Sequence, residues 1–318
     1  MQYRTLGKTG LKVSEIGFGA WPIGGSGYGA TDDTESMKAL DTAWECGINF
    51  YDTADTYGHG HSETLIGKFL KGKAREEVVI ASKAGWDFYH GGSKKNFDPD
   101  YLKFACDESL KRLGVEFIDV YQLHNPPEDI IRKGDALTAL AKLKQAGKIR
   151  FIGVSVHQDE DAGAAMDDGL VDTLQLVFNI LDQRMALNIF RLALEKNIGV
   201  IAREPLAFGF LTGKYTKHHE FPKEDHRRRF SKELLEKNLI KVEKIKSLLA
   251  TSRLSLTRAA LEYALQYREI STVIPGAKSA AQVIENADAS NNPKLRSQEA
   301  VLLKDVSGRE AIFRTDYF

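Results

Sequence analysis

Eight short apolar segments alternate with segments of helical periodicity along this chain of 318 residues. Each short segment is rich in β-branched and aromatic residues, and the segment that follows repeats apolar residues at helical spacing. Eight nearly continuous apolar strands that alternate with helices are typical of a closed parallel barrel, because both faces of each strand are then buried. The sequence therefore predicts an α/β fold, specifically a (β/α)8 TIM barrel. The predicted strands lie within residues 15–20, 48–54, 77–85, 117–125, 148–156, 173–180, 199–206 and 271–277.

Boundary residues mark the ends of these elements. Asp98 followed by Pro99 is typical of a helix start, and Gly114 suits the left-handed residue after its end, which predicts a helix of about fifteen residues. Before the first barrel strand, residues 3–14 are arranged around a turn at residues 8–10. We expect this segment to form a β-hairpin that closes the bottom of the barrel.

Composition and charge restrict the partners of the chain. A charged fraction of 28%, with 44 basic and 44 acidic residues, favours neither nucleic acid nor a membrane surface. No apolar run approaches the roughly 18 residues that span a bilayer, and no leader precedes the first strand, so we expect a cytoplasmic protein. No linker divides residues 1–318, which indicates a single domain. The two cysteines, Cys46 and Cys106, are expected to be reduced core residues.

Ionisable residues occupy the carboxyl ends of consecutive strands, where a parallel barrel carries its active site. Asp52, Lys83 and His124 each follow an apolar strand segment. Because an unpaired buried charge is costly, we expect Asp52 and Lys83 to form an ion pair. Tyr57 lies in a glycine-flanked loop after Asp52, which brings its phenol to the same mouth. Asp52, Tyr57, Lys83 and His124 are called the tetrad below.

The tetrad predicts acid–base chemistry. The ammonium of Lys83 favours the phenolate form of Tyr57, so we expect it to strengthen the phenol as a proton donor and acceptor near neutral pH. His124 is expected to donate a hydrogen bond to a carbonyl oxygen and to polarise it. Two other interpretations stay open. The first is an aldolase-type barrel in which Lys83 forms a Schiff base, and the second is a cofactor-sensing or auxiliary subunit with little turnover.

A series of ordered motifs resembles the aldo-keto reductases over nearly the whole chain. The motifs are LGKTGLKVSEIGFGAWPIGG, GINFYDTADTYGHGHSETLIGKFL, VIASKAG, LKRLGVEFIDVYQLHNP, GKIRFIGVSV, EPLAFGFLTGKY and VIPGAKSAAQVIENADA. The resemblance implies a barrel that binds NADPH in an extended groove across its mouth. It also implies that hydride passes from the nicotinamide to an aldehyde or ketone while Tyr57 protonates the oxygen.

The resemblance also assigns residues to the cofactor. Ser155 and Gln175 would hold the nicotinamide carboxamide, and Val156 stands where many members have asparagine. Arg203 occupies a position that is often an aromatic residue stacked on the nicotinamide, and its planar guanidinium is expected to stack instead. Lys278 lies near a helix start that suits an anion, which favours NADP(H) over NAD(H). The remaining residues expected at the cofactor are Pro205, Leu206, Gly209, Leu211, Lys214, Gly276, Ser279, Gln282, Glu285 and Asn286.

Large side chains just beyond the strand ends are candidates for a substrate wall. Trp21 and Trp86 are expected there or in the core, and His157 either faces the substrate or makes a loop contact. The aromatic tail at residues 313–318 is equally open between the barrel surface and the pocket edge. The histidines and the arginine run within residues 214–229 are expected to be solvated surface rather than a metal or phosphate site. Loops set substrate choice on this fold, so the carbonyl compound and the oligomeric state are left open.

Overall fold

Eight parallel strands form one sheet in this computed structural model, which describes residues 1–223, 225–252 and 254–306. The described strands are β1 (Tyr3–Thr5), β2 (Lys12–Ser14), β3 (Phe18–Gly19), β4 (Phe50–Asp52), β5 (Val79–Ala84), β6 (Trp86–Asp87), β7 (Lys94–Lys95), β8 (Ile118–His124), β9 (Ile149–Ser155), β10 (Thr173–Val177), β11 (Gly199–Arg203) and β12 (Ile270–Val273). The described α-helices are α1 (Asp33–Glu45), α2 (His61–Leu70), α3 (Pro99–Leu113), α4 (Glu128–Lys133), α5 (Asp135–Gln145), α6 (Asp159–Asp167), α7 (Arg184–Glu195), α8 (Lys232–Leu248), α9 (Leu256–Leu265), α10 (Ala280–Asn291) and α11 (Ser297–Lys304).

The sheet closes on itself. Its strand order is β3-β4-β5-β8-β9-β10-β11-β12, and every neighbouring pair is parallel. Parallel bridges join Ile16 to Val273 and Gly19 to Gly276, so the first strand pairs with the last. The predicted (β/α)8 barrel is confirmed. Seven predicted strand segments contain a barrel strand, and the eighth, 271–277, overlaps β12, which begins one residue earlier.

Strand periodicity places the functional side chains above an apolar interior. The interior cluster is Leu6, Val13, Phe50, Val79, Ala81, Val120, Ile201 and Ile274. Residues two positions apart on a strand lie on the same face. Asp52, Lys83 and Arg203 each lie two positions after a residue of this cluster, namely Phe50, Ala81 and Ile201. Their side chains therefore point into the barrel as well. These charged groups form the layer that follows the apolar one towards the carboxyl ends of the strands.

The N-terminal hairpin lies at the opposite end of the barrel, as predicted. Strands β1 and β2 pair antiparallel, and the Arg4 guanidinium donates to the backbone carbonyls of Leu265, Tyr267 and Ile270 at 2.7–2.9 Å. Gly7 has a φ of +49°, and a Cβ there would lie 2.2 Å from the backbone nitrogen of Gly199. A side chain at Gly7 would therefore push the hairpin away from the start of β11.

Helix boundaries also follow the sequence. Helix α3 has 15 residues, the Asp98 side chain accepts the backbone N–H of Asp100, and Gly114 has a φ of +65°. Such an N-cap contributes about 1 kcal/mol to helix stability. Both cysteines are free, with Cys106 buried and Cys46 half-buried, so the second is only partly a core residue. Among the described residues, no helix is long and apolar enough to cross a membrane.

Candidate active site

A cavity of about 920 Å³ lies at the carboxyl ends of the barrel strands. Asp52, Tyr57 and His124 line it, whereas Lys83 is fully buried behind them. The predicted tetrad residues therefore meet at one place. Strand ends position three of them, and the loop after β4 positions Tyr57.

The Lys83 ammonium connects the tetrad. Its Nζ lies 2.6 Å from Asp52 Oδ1, 2.8 Å from the Thr53 carbonyl oxygen and 3.2 Å from the Tyr57 hydroxyl. An ammonium has three protons to donate, and these three acceptors satisfy it. The second carboxylate oxygen of Asp52 accepts from the amide nitrogens of Gln175 at 2.6 Å and Gln122 at 3.3 Å. The expected buried ion pair is present and its acceptors are hydrogen-bonded.

The loop that carries Tyr57 is held by a close backbone contact. Gly58 has a φ of +63°, and a Cβ there would lie 1.8 Å from the Gly24 carbonyl oxygen. The Tyr57 ring stacks on Trp21 with centroids 5.7 Å apart and meets the His124 ring edge-on at 5.8 Å. Glycine at position 58 thus lets two loops approach closely enough to fix the phenol between two aromatic rings.

Burial and the Lys83 ammonium have opposite effects on the Tyr57 phenol. Burial raises the pKa of the Tyr57 phenol, and the nearby Lys83 ammonium only partly opposes that rise. Burial alone would lower the pKa of Lys83, but Asp52 and Tyr57 favour its charged form and raise it. The ammonium acts on the Tyr57 phenol in the expected direction, but the loss of solvent outweighs it and the net pKa is raised. At neutral pH the phenol holds its proton and can donate it.

His124 is a neutral imidazole. Burial lowers its pKa well below the usual histidine value, and the charge of Lys83 lowers it further. A neutral imidazole can donate a hydrogen bond to a carbonyl oxygen without transferring a full charge. A protonated phenol, an adjacent ammonium and a neutral imidazole around one cavity can polarise and protonate the oxygen of a carbonyl compound.

Comparisons with known proteins agree with this geometry. The family model described as Aldo/keto reductase family matches residues 15–307. The NADH-specific methylglyoxal reductase of Escherichia coli is 31% identical over 95% of this chain and 97% of its own length. The aldo-keto reductase yakc [NADP(+)] of Schizosaccharomyces pombe is 33% identical over 87% of this chain and 84% of its own length. The holo structure of an aldo-keto reductase from Bacillus halodurans has a TM-score of 0.82 at 30% identity and covers 100% of both chains.

The chain belongs to the aldo-keto reductase family.

Aldo-keto reductases bind a nicotinamide cofactor, and in this member three amide or hydroxyl side chains border the tetrad end of the cavity. Ser155 and Gln175 line it as expected, and Ser155 Oγ donates to Asn125 Oδ1 at 2.8 Å. Asn125 follows His124 directly and has a φ of +55°, which turns the chain at the strand end. Sequence reasoning missed Asn125, although its place after a catalytic strand end was a usable signal. Val156 is fully buried and is not among the residues that line the described cavity, whereas Asn125 places an amide there.

Arg203 lines the cavity of this aldo-keto reductase but is held by other side chains. Its guanidinium pairs with Glu204 and donates to His157 Nδ1 at 2.8 Å and to the Val156 carbonyl at 3.2 Å. Burial lowers the pKa of His157 well below its usual value, and Arg203 lowers it further, which leaves a neutral acceptor. The expected stacking of Arg203 on nicotinamide stays a prediction, and it would have to occur with these contacts in place.

Most of the predicted cofactor residues line the other end of the cavity. These are Pro205, Leu206, Gly209, Lys214, Gly276, Lys278, Gln282, Glu285 and Asn286. Two of the predicted residues are absent from the described cavity wall. Leu211 is fully buried, and Ser279 is the residue before the first turn of α10.

Lys278 contacts the loop across the cavity. Its Nζ donates to the backbone carbonyls of Tyr28 at 2.6 Å, Ala30 at 3.2 Å and Gly29 at 3.3 Å. Burial lowers the pKa of Lys278, and Arg227 and Lys214 lower it further by repulsion. Several cations therefore converge here, as expected of a site for an anion.

The arginines and histidines of residues 214–229 are not all solvated, and that prediction was wrong for two of them. Arg227 is 8% exposed, pairs with Asp225 and lies over the Tyr28 ring at 4.8 Å. The His226 ring stacks on Trp21 at 4.8 Å, and His226 Nδ1 donates to the Gly27 carbonyl at 2.5 Å. We call this junction of residues 25–30 with residues 225–229 the loop bridge. Its partners are about 200 positions apart, so local sequence gave no signal for it.

All three residues predicted for the substrate wall line the cavity. Trp21, Trp86 and His157 line the cavity, together with His59 and Ser93. The two tryptophans thus lie at the cavity, and their contact with a substrate stays a prediction. The aromatic tail at residues 313–318 lies outside the described residues.

Proposed function

We propose that this chain catalyses the NADPH-dependent reduction of an aldehyde or ketone to the alcohol, with Tyr57 as the proton donor. The observation that carries the proposal is the position of the Lys83 ammonium, 2.6 Å from Asp52 Oδ1 and 3.2 Å from the Tyr57 hydroxyl. This arrangement suits a phenol that releases a proton to substrate and is left briefly as phenolate. A desolvated ammonium at hydrogen-bond distance stabilises that phenolate.

Each tetrad residue has a separate task in this reaction. When bound, the nicotinamide supplies hydride to the carbonyl carbon. The neutral His124 donates a hydrogen bond to the carbonyl oxygen, and Tyr57 transfers its proton to that oxygen. Lys83 holds the resulting phenolate, and Asp52 keeps Lys83 charged and in place. A Schiff-base role for Lys83 is disfavoured, because the ion pair with Asp52 keeps the amine protonated.

The cavity lining fits a dinucleotide cofactor. Ser155, Asn125 and Gln175 would hold a carboxamide at the tetrad end, where their polar atoms already form hydrogen bonds. At the other end, Lys214, Lys278, Arg227 and Arg229 line the cavity and would hold phosphate groups.

We propose that the chain prefers NADPH to NADH, because the four cations named above favour binding of the 2′-phosphate that only NADPH carries. The relatives differ on this point, since the Escherichia coli protein is named as NADH-specific and the Schizosaccharomyces pombe protein carries NADP(+) in its name. Small carbonyl compounds are the proposed substrate class.

Cofactor titration followed by turnover tests the proposal. Protein fluorescence would be recorded during addition of NADPH and, separately, NADH, because Trp21 and Trp86 line the cavity. Aldehydes and ketones would then be added and nicotinamide absorbance followed. We expect tighter binding of NADPH and loss of absorbance with at least some carbonyl compounds. Binding without turnover of any compound would instead favour a sensor or auxiliary subunit, and absence of binding would contradict the proposal altogether.

A further inference from the structure

A short two-stranded arm borders the substrate end of the cavity. Its strands β6 and β7 pair antiparallel, with Trp86 opposite Lys95 and Asp87 opposite Lys94. Opposite residues in such a pair lie on the same face, and successive residues lie on opposite faces. Trp86 lines the cavity. Lys95 is therefore on the cavity face of the arm, and Lys94 is on the other face.

The arm is anchored by the buried carboxylate of Asp87. This carboxylate accepts the backbone N–H of Tyr89 and the side-chain amide of Asn96, both at 3.1 Å. The Lys95 ammonium lies 5.6 Å from the centroid of the Trp86 ring. A fixed arm keeps this cation beside an aromatic residue of the cavity wall.

The charge of Lys95 reaches the reacting end of the cavity. Burial is the main cause of the low pKa of both His124 and His157, and Lys95 is among the cations that lower each of them further. Trp86 lies three residues after Lys83 and lines the cavity, so its pairing with Lys95 places this ammonium at the rim near the tetrad end.

Other cations at this end already have carboxylate partners. Arg203 pairs with Glu204, and Arg184 pairs with Asp182 at 2.9 Å. Lys95 is exposed and forms no ion pair with a residue in the described part of the chain. Lys95 is thus a positive charge at the substrate end that the described residues do not compensate.

We propose that Lys95 selects carbonyl substrates that carry a carboxylate or phosphate group, by binding that group at the cavity rim while the carbonyl faces Tyr57 and His124. The inference rests on the proposed function, since it names the substrate class of the same site. In this proposal, the Trp86 indole packs against the carbon chain between the carbonyl and the anionic group of the substrate. The substrate class is therefore an oxo acid or a phosphorylated aldehyde.

Matched pairs of substrates and variants test this selection. With saturating NADPH, kcat/KM would be measured for 4-oxobutanoate against butanal and for glyceraldehyde 3-phosphate against glyceraldehyde. The variants are Lys95→Gln and its control Lys94→Gln, which removes the same charge from the opposite face of the arm. We expect Lys95→Gln to lower kcat/KM for at least one anionic substrate by about twofold to fivefold, mainly through KM, because exposed ion pairs are worth at most about 1 kcal/mol. The neutral aldehydes and the Lys94→Gln variant should be unaffected.

The outcomes separate this inference from the proposed function. Raised ionic strength should weaken the preference for the anions, and Lys95→Glu should reverse it. The role of Lys95 would be overturned if the wild type reduced neutral and anionic aldehydes equally well, or if both lysine variants changed the preference for anions by the same factor. Either result would leave the reductase proposal standing. Absence of any carbonyl turnover in the wild type would overturn both. An unchanged thermal unfolding temperature would show that the Lys95 variants are folded.

Discussion

Among single residues, Tyr57 carries the chemical proposal because its environment favours the protonated phenol before reaction and stabilises the phenolate afterwards. Burial raises its pKa, and the Lys83 ammonium opposes that rise. Both influences act on the phenolate: burial disfavours it, and the ammonium offsets part of that cost when the proton leaves. Sequence reasoning identified the cation but could not weigh it against burial, which depends on how closely Trp21 and His124 pack around the ring.

Removing the Tyr57 hydroxyl should abolish most carbonyl reduction. Tyr57→Phe keeps the ring between Trp21 and His124 and removes only the proton donor, so we expect kcat to fall by about a hundredfold or more. Cofactor affinity should stay close to that of the wild type in the fluorescence titration.

A second tyrosine provides the control for that change. Tyr121 is fully buried, and its hydroxyl has no hydrogen-bond partner among the described residues. Tyr121→Phe should therefore leave turnover unchanged. Full activity in Tyr57→Phe, or equal losses in the two variants, would be incompatible with Tyr57 as the acid.

Among the larger elements, the loop bridge is a part of the cavity wall that contains a buried titratable group, His226. The His226 imidazole stacks on Trp21 and donates to the Gly27 carbonyl, and burial lowers its pKa to about 4. The unfolded or opened segment has a histidine pKa near 6.5. Between these two values the open form binds the proton more strongly, so the bridge loses stability as pH falls from about 6.5 to 4.

Acid should therefore loosen the loop bridge. We expect amide hydrogen exchange in residues 25–30, corrected for the intrinsic rate, to show a loss of about 1.5 kcal/mol in opening free energy between pH 6.5 and 5. His226→Gln should remove this pH dependence. His61→Gln, which changes a more exposed histidine that pairs with Asp33, should keep it. A wild-type bridge equally protected at both pH values would contradict the assignment to His226.

Over the whole molecule, the sequence predicted what depends on periodicity and missed what depends on contacts between distant loops. The strand pattern placed Asp52, Lys83 and His124 at adjacent strand ends, because the barrel brings all carboxyl ends of its strands to one mouth. Local turn residues predicted the hairpin and the bounds of α3.

The loops were predicted less well for a physical reason. In the sequence, Arg227 belongs to a run of basic residues that predicts an exposed surface. Only in the folded chain do Asp225 and the Tyr28 ring contact it. Asn125 follows a predicted strand end, but its contact with Ser155 from the next strand exists only in the folded chain. Side chains whose partners lie on other loops need the three-dimensional structure before their roles can be assigned.

The most direct test of the account is transfer of deuterium from the cofactor to the product. NADPH deuterated at both C4 positions would be incubated with the protein and a carbonyl compound that it consumes, and the product analysed by mass spectrometry and NMR. The account predicts an alcohol with one deuterium on the former carbonyl carbon, and loss of this product in Tyr57→Phe. An alcohol without deuterium, or bound NADPH that yields no alcohol with any carbonyl compound, would contradict it.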